Sequence, residues 1–435
     1  MANTKGLGLP QILITFSSKS ATAIARSARG VVAMILNDEN VTDADGVQKF
    51  TILDTTDIPA TGIADLNVDL IKKALLGTPN KIYAYLIPPA THEEEQEKQV
   101  ETEVESDVVV TNAETGETET VTSTVTVTNT VTETVTVNAT VTQADALRAL
   151  ANVRYNYICH PTGNAQDQQD LVSWIKTQRD NRQCTCKAVV ANYGGDSYGI
   201  ANFTTTGIKT DNPAYADALE LADGDESAVN VPKYITYTTT QYTARMAGIL
   251  AGLPLDRSAT YYELPEVVSV DEYDDIDEHI NNGELCLFDE KDGNGVKIAR
   301  GVNSLTTFTG EIGTDFRFIK NVEGMDLIKD DIRDTFRNDY VGKVANTYDN
   351  KMLFIAAVHT YFHGLEGNVL DPNADNHLEI DYNANLDYAK SQGADVENMT
   401  EQQILEYPTG TQVFLTGSIR LLNAMEDLKL NLSLN

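Results

Sequence analysis

The sequence predicts a multi-domain chain of mixed α/β and α+β class, with a small all-β module set into it. Three observations carry this reading. Short apolar runs alternate with amphipathic stretches in two parts of the chain, the pattern of buried parallel strands and their crossover helices. Between those parts every even position from Val121 to Val137 is Thr, a strict period of two that is a β pattern and not a helical one, with a disordered Thr/Glu-rich linker as the competing reading. At 435 residues the chain is about three times a typical domain of roughly 150, so two to four cores are expected.

Residues 1–20 carry the apolar segment Leu9 to Phe16 with Pro10 near its start, a lead-in to a short strand. Residues 21–90 read as an α/β unit, with a strand at Gly30 to Leu36, a helix at Leu66 to Leu76 and a strand at Lys81 to Ile87, closed by Pro88-Pro89. Residues 91–142 are the inserted Thr/Val-rich module, two or three strands turning at Asn112 to Glu117. Residues 143–230 return to α/β: helix Gln143 to Asn152, strand Tyr155 to Cys159, helix Asp167 to Arg179, strand Cys186 to Ala191. Residues 231–424 form the longest block. Its helices are expected at Thr240 to Leu253, at Asp326 to Tyr340 with Ile328, Ile332, Phe336 and Tyr340 on one stripe, and at Asn350 to His363. Thr400-Glu-Gln-Gln403 fits a capping box. Residues 425–435 end in Leu428, Leu430, Leu432 and Leu434 at perfect alternation, which reads as a half-buried strand.

Charge excludes whole classes of function. With 65 Asp plus Glu against 32 Lys plus Arg, the net charge is -33, the reverse of what phosphate binding needs, and equally unsuited to anionic lipid. No run approaches the ~18 apolar residues of a membrane span, and the opening MANTKGLGLPQILITFSS does not make a signal peptide. Four scattered cysteines (Cys159, Cys184, Cys186, Cys286) suggest free thiols in a reducing cytoplasm.

The candidate chemistry is thin. Gly195-Asp-Ser-Tyr-Gly199 matches the G-x-S-x-G nucleophile elbow at Ser197, but Ile200 to Gly207 is a poor helix and the elbow needs one. His359 and His363 have metal-ligand spacing without the zincin glutamate, since Thr360 stands there. Cys184-Thr-Cys186 lacks a second pair. Asp289 to Gly295 is a poor calcium loop, with Lys291 where a ligand is wanted, and reads as a hairpin turn. There is no Walker or dinucleotide glycine motif. Glu263 to Asp292 holds 12 acidic residues and one Lys, a solvated or partner-facing surface. No catalytic, cofactor or metal site is nominated.

Terminal strands must pair with some sheet edge. If that edge belongs to a neighbour, they are arms that build a polymer. Ala244-Arg-Met-Ala-Gly-Ile-Leu-Ala-Gly-Leu-Pro-Leu-Asp-Arg-Ser-Ala-Thr-Tyr261, Gly301-Val-Asn-Ser-Leu-Thr-Thr307, Val322 to Arg333, Asn338 to Lys343, Asn350 to Tyr361 and Asn423 to Leu428 together resemble the C-terminal domain of contractile phage tail sheath proteins of Gram-positive bacteria. Gly8 to Phe16 and Ala25 to Gly30 resemble the family's opening, and only 91–142 departs from the pattern.

The resemblance implies a structural protein, not an enzyme, with no cofactor. It implies a subtilisin-like α/β middle domain, a C-terminal sheath domain, and subunits in stacked six-fold rings around an inner tube. The implied partners are further copies, the tube, baseplate and tail terminator proteins, with no direct nucleic acid and no membrane insertion. The implied setting is a phage tail or phage-tail-like bacteriocin particle, assembled in the host cytoplasm and released by lysis. By position the inter-subunit arms would be Leu9, Gln11, Ile12, Leu13, Ile14 and Phe16 at one end, and Leu428, Leu430, Leu432 and Leu434 at the other. Two rival readings stand: an exported adhesin or S-layer-like surface protein, and a serine hydrolase using Ser197.

Overall fold

Val31–Asn37 (β1) is apolar at every position but the last and is buried on both faces, as a central parallel strand requires. In this computed structural model, which describes residues 24, 29–111, 116, 118–222, 224–291 and 293–433, two compact units are present. The larger comprises Arg29–Leu253 and Ala259–Gly313; the smaller holds Pro254–Ser258 and Thr314 onward.

The larger unit is built on one sheet. After β1 come Gln48–Ile52 (β2), Asp65–Leu75 (α1) and Lys81–Ile87 (β3). Thr91–Thr111 (β4) and Thr118–Asn138 (β5) follow, then Gln143–Leu150 (α2), Tyr157–Cys159 (β6), Ala165–Arg182 (α3), Lys187–Ala191 (β7) and Ile200–Phe203 (β8). Next are Ile208–Asp211 (β9), Pro213–Leu221 (α4), Tyr234–Tyr237 (β10), Thr239–Gly252 (α5), Val267–Ser269 (β11), Ile276–Asn281 (α6), Glu284–Leu285 (β12), Leu287–Asp289 (β13) and Val296–Ile298 (β14). The sheet order is β12-β8-β7-β6-β1-β3-β2, parallel throughout except for β2. The segments expected as separate units, 21–90 and 143–230, therefore share one sheet, because β1 lies between β3 and β6. On one face Val31, Ala33, Ile35 and Tyr85 pack with Leu147, Leu171 and Ile175 of α2 and α3. The other face is covered by α1 and α5.

The inserted module is a hairpin of two 21-residue strands that pair only with each other. Its register sets Glu93, Glu95, Glu97, Glu101, Glu103, Glu105 and Asp107 opposite Thr at every step, from Thr136 to Thr122. Of the expected turn at Asn112 to Glu117, Gly116 alone is among the described residues.

The smaller unit contains Ile319–Thr335 (α7), a single π-helical turn at Phe336–Tyr340, Tyr348–His363 (α8), His377–Ile380 (β15), Tyr382–Ser391 (α9), Glu401–Leu405 (α10) and Leu415–Ser418 (β16). Helix α7 starts seven residues before the expected Asp326, because Ile319 and Val322 are buried as well. Thr400 and Gln403 close the expected capping box of α10. Leu327, Phe354, Val358, Tyr361 and Leu370 form its core.

One expectation is overturned at the C-terminal end. Residues 422–433 form no strand, and Leu428, Leu430 and Leu432 are 89%, 67% and 81% exposed. Alternation sets which side chains share a face, but it supplies no edge to pair with, and no sheet among the described residues accepts this segment. Leu434 and the expected N-terminal strand, with Leu9, Gln11, Ile12, Leu13, Ile14 and Phe16, lie outside the described residues.

Candidate functional site

Open parallel sheets bind ligands beyond the carboxyl ends of their strands, where the strand order reverses. Here that place is between β1 and β6, and polar side chains fill it. Asp38 accepts from the Ala64 amide and from Asn67 Nδ2, both at 2.8 Å. His160, 1% exposed, has Nδ1 2.5 Å from Gln143 Oε1 and Nε2 3.2 Å from Asn37 Oδ1. Burial holds its pKa down at about 3, so the ring is neutral at physiological pH. Gly163 closes against it, since a Cβ there would lie 2.6 Å from His160 Nδ1. The cluster is an interior hydrogen-bond network in which Asn67 Oδ1 alone of these groups is buried without a partner.

The G-x-S-x-G loop joins β7 to β8, two adjacent strands, so the helix that an elbow requires is absent. Ser197 Oγ accepts from the Gly199 amide at 3.2 Å. Ser304 Oγ donates to the carbonyls of Gly194 and Ser197, at 2.5 and 3.0 Å. Asp196 Oδ1 accepts from the amides of Thr306 and Thr307, at 2.7 and 3.0 Å. The loop is a clasp for the 301–307 segment, which explains the hydroxyl-rich string Asn303-Ser-Leu-Thr-Thr307.

The string beginning Ala244-Arg-Met-Ala-Gly is equally structural. Arg245 is buried on α5 and pairs through Nε with Glu266 Oε1 at 2.5 Å, and Tyr242 donates to the same oxygen at 3.2 Å. Burial opposes the charge on both partners, but the pair outweighs it: the arginine pKa rises and the glutamate pKa falls. The acidic run from 263 thus contains one carboxylate with an interior task. Gly248 and Gly252 let α5 touch the backbone of Ala74 and Gly77.

The other candidates resolve without chemistry. His359 Nε2 lies 2.9 Å from both the amide nitrogen and the carbonyl oxygen of Leu378 on β15. His363 pairs with Glu366 at 3.0 Å. Lys291 reaches Glu272 at 2.5 Å. Among the described residues, no group of three His, Cys, Asp or Glu could hold a metal ion, and no helix is long and apolar enough to cross a membrane. All four cysteines are free thiols.

A surface feature is left. Segment 422–426 is tied down: Lys320 Nζ donates to the Leu422 carbonyl, Asn321 Nδ2 to Asn423 Oδ1 at 2.6 Å, and Ser258 Oγ to Glu426 Oε1 at 2.8 Å. Immediately beyond this anchor come the three exposed leucines. The role of Lys320, Asn321 and Ser258 was not visible in the sequence, because their partners lie 102 to 168 residues away.

Comparison with known proteins gives this surface its context. The phage tail sheath protein central domain matches residues 138–304, and the phage tail sheath C-terminal domain matches 311–434. The chain is 34% identical over 293 residues to the tail sheath protein of Clostridium phage phiCD119, covering 67% of this chain and 75% of that protein. The crystal structure of the sheath tail protein from Desulfitobacterium hafniense shares the fold, with a TM-score of 0.57 at 20% identity, covering 85% of this chain and 93% of that one. The helical sheath of the anti-feeding prophage, in its contracted state, does so with a TM-score of 0.58 at 11% identity, over 98% and 99% of the two chains. The chain belongs to the phage tail sheath family and is a non-enzymatic contractile tail sheath subunit, a component of a phage tail or phage-like particle.

Proposed function

We propose that the subunit polymerises as six-fold rings stacked helically around an inner tube, laced by its terminal arms, and contracts to drive the tube through a target envelope. The observation that carries the lacing is the C-terminal segment, anchored at 422–426 and then presenting Leu428, Leu430 and Leu432 to solvent. An unpaired alternating segment of this kind can join a neighbour's sheet edge by main-chain hydrogen bonds, and a head-to-tail contact propagates instead of closing a dimer.

The acceptor in a neighbouring copy is the β15–β16 pair. His359 occupies the outer main-chain groups of β15 at Leu378, so the arm adds beside β16. Leu9, Gln11, Ile12, Leu13, Ile14 and Phe16 supply the second arm. Residues 143–230 serve as the subtilisin-like middle domain, used for its fold alone. The Thr/Glu hairpin faces outward, where its carboxylates keep particles apart. The finer partners are the tube, baseplate and tail terminator proteins, and the particle assembles in the host cytoplasm and leaves by lysis.

Contraction needs no nucleotide: the extended sheath is a kinetically trapped packing that relaxes to one with more favourable contacts between rings. Deleting 428–435 and imaging the purified protein by negative stain tests the arm. Tubes are expected from the full chain and isolated particles or short rings from the truncation; normal tubes from both would sink the lacing.

A further inference from the structure

The smaller unit contains a cavity of about 420 Å³ with aromatic and aliphatic walls, Phe336, Tyr340, Phe354, Val344 and Val413 among them. Phe336, Tyr340 and Phe354 are in mutual ring contact, with centroids 4.8 to 5.9 Å apart. Val341 on its rim is 56% exposed.

Two polar groups in this apolar setting are incompletely matched. Lys351, on α8, is 5% exposed, and its ammonium meets Thr409 Oγ1 at 3.0 Å. No carboxylate among the described residues pairs with it. Burial pulls its pKa below the usual lysine value, the mark of an ammonium short of counter-charge. Asn346 donates through Nδ2 to Thr409 Oγ1 and to the carbonyls of Gly410 and Gln412, which fixes its amide orientation and leaves its buried Oδ1 without a partner. A buried lysine is ordinarily paired, and an ammonium has three donors to place.

We propose that this cavity is a socket for a second copy of the chain, closed by an Asp or Glu carboxylate on Lys351 with an adjoining apolar side chain against Phe336 and Tyr340. The inference rests on the sheath reading, in which each subunit is packed among copies. Charge complementarity selects the occupant, because a chain with 65 Asp plus Glu against 32 Lys plus Arg presents carboxylates to its neighbours far more often than cations. The described surface offers such a tip at the C-terminal end of α4, a helix with no buried residue, where exposed Glu220 adjoins Leu221, itself 89% exposed.

The test is a cryo-EM map of tubes assembled from the full chain, together with the Lys351→Met variant. The expected map places a carboxylate of a neighbouring copy within about 4 Å of Lys351 Nζ, the ordinary reach of an ion pair. Lys351→Met should fold with an unchanged or higher melting temperature, yet need on the order of tenfold more protein to form tubes, the loss of one well-placed charge contact. Tubes in which the cavity is empty, or filled by a small molecule or by the same copy, overturn the socket and leave the sheath reading standing. So does a folded Lys351→Met variant that assembles like the wild type. Failure of the wild-type chain to form tubes would count against the sheath reading itself, and the socket would fall with it.

Discussion

Gly248 of α5 meets the carbonyl of Ala74 in α1 so closely that a Cβ on the glycine would stand 2.0 Å from that oxygen. Gly77 and Gly252 continue the contact, since a Cβ on Gly252 would lie 1.8 Å from the Gly77 carbonyl. The clashing atoms are backbone, so no rotamer change relieves them. Gly248→Ala should therefore separate two helices that cover one face of the central sheet. The expected loss is about 1–3 kcal/mol or more, the range for overpacking a tight interior. Gly310, whose Cβ position is empty out to 4 Å, is the control. Gly310→Ala should change stability by less than about 0.5 kcal/mol in urea unfolding.

Asp196 supports the clasp as an anion. Burial would raise its carboxyl pKa, but hydrogen bonds from Thr306 and Thr307 outweigh that and bring it from 3.8 to about 2. A folded-state pKa below the unfolded one gives stability that is full above the unfolded value. That stability is lost as pH falls through the folded value, here between about 4 and 2. Because Asp196 is exposed, solvent screening reduces the contribution to about 1 kcal/mol. Asp196→Asn keeps the Oδ1 acceptor and should abolish this pH-dependent part. Urea midpoints measured from pH 6 to 2.5 check it; an unchanged acid slope in the variant would be the wrong result.

Most of the local elements were legible in the sequence, and the reasons are physical. Lys81–Ile87 matches to the residue, because a continuous apolar run between polar stops is fixed by its own chemistry. The Thr-every-second-residue stretch specified the long hairpin for the same reason. What escaped is set at a distance. That β1 sits between β3 and β6 depends on hydrogen bonds such as Val31 N to Asn156 Oδ1, across 125 residues. The terminal leucines kept their alternation but lost the strand, since pairing needs an edge that periodicity cannot supply. The sequence places Ser197 in a turn after a strand and His359 at the end of a helix. Their actual tasks, a loop clasp and a contact on Leu378, could not be seen without the fold.

Arg245 and Glu266 form a pair whose side chains are 3% and 18% exposed. Removing one member leaves an uncompensated charge, with an expected cost of about 3–5 kcal/mol for Glu266→Leu, where the arginine is the deeper partner. Replacing both, Arg245→Met with Glu266→Leu, should recover most of that loss, because the desolvation penalty disappears with the charges. A double-mutant cycle by thermal and urea unfolding measures the coupling. Additive single effects would contradict the pairing.

The hairpin should be dispensable for folding. Its ends are already adjacent, since the Ala139 amide donates to the Ala90 carbonyl at 3.0 Å. Downstream, the amides of Thr140 and Val141 are held by Asp43, at 2.9 Å to Oδ1, independently of the strands. Deleting 91–138 and bridging Ala90 to Ala139 with two glycines should leave the melting temperature within a few degrees and tube formation intact. Loss of assembly with retained folding would make the hairpin an inter-subunit element.

Thiol reactivity should single out Cys184. Burial pushes Cys159, Cys186 and Cys286 upward in pKa, Cys186 to about 11 with the neighbouring Cys184 adding to the effect. The thiolate is the reacting species, so these three are slowed both by protonation and by lack of access. Cys184, partly exposed at the end of α3, is open to a reagent in solution. With a disulfide exchange reagent at pH 8, one thiol per chain should react in a fast phase, and the other three only on unfolding in urea. Cys184→Ser should remove the fast phase alone. Two or more fast thiols in the native chain would show that the β6–β7 core opens far more readily than its burial indicates.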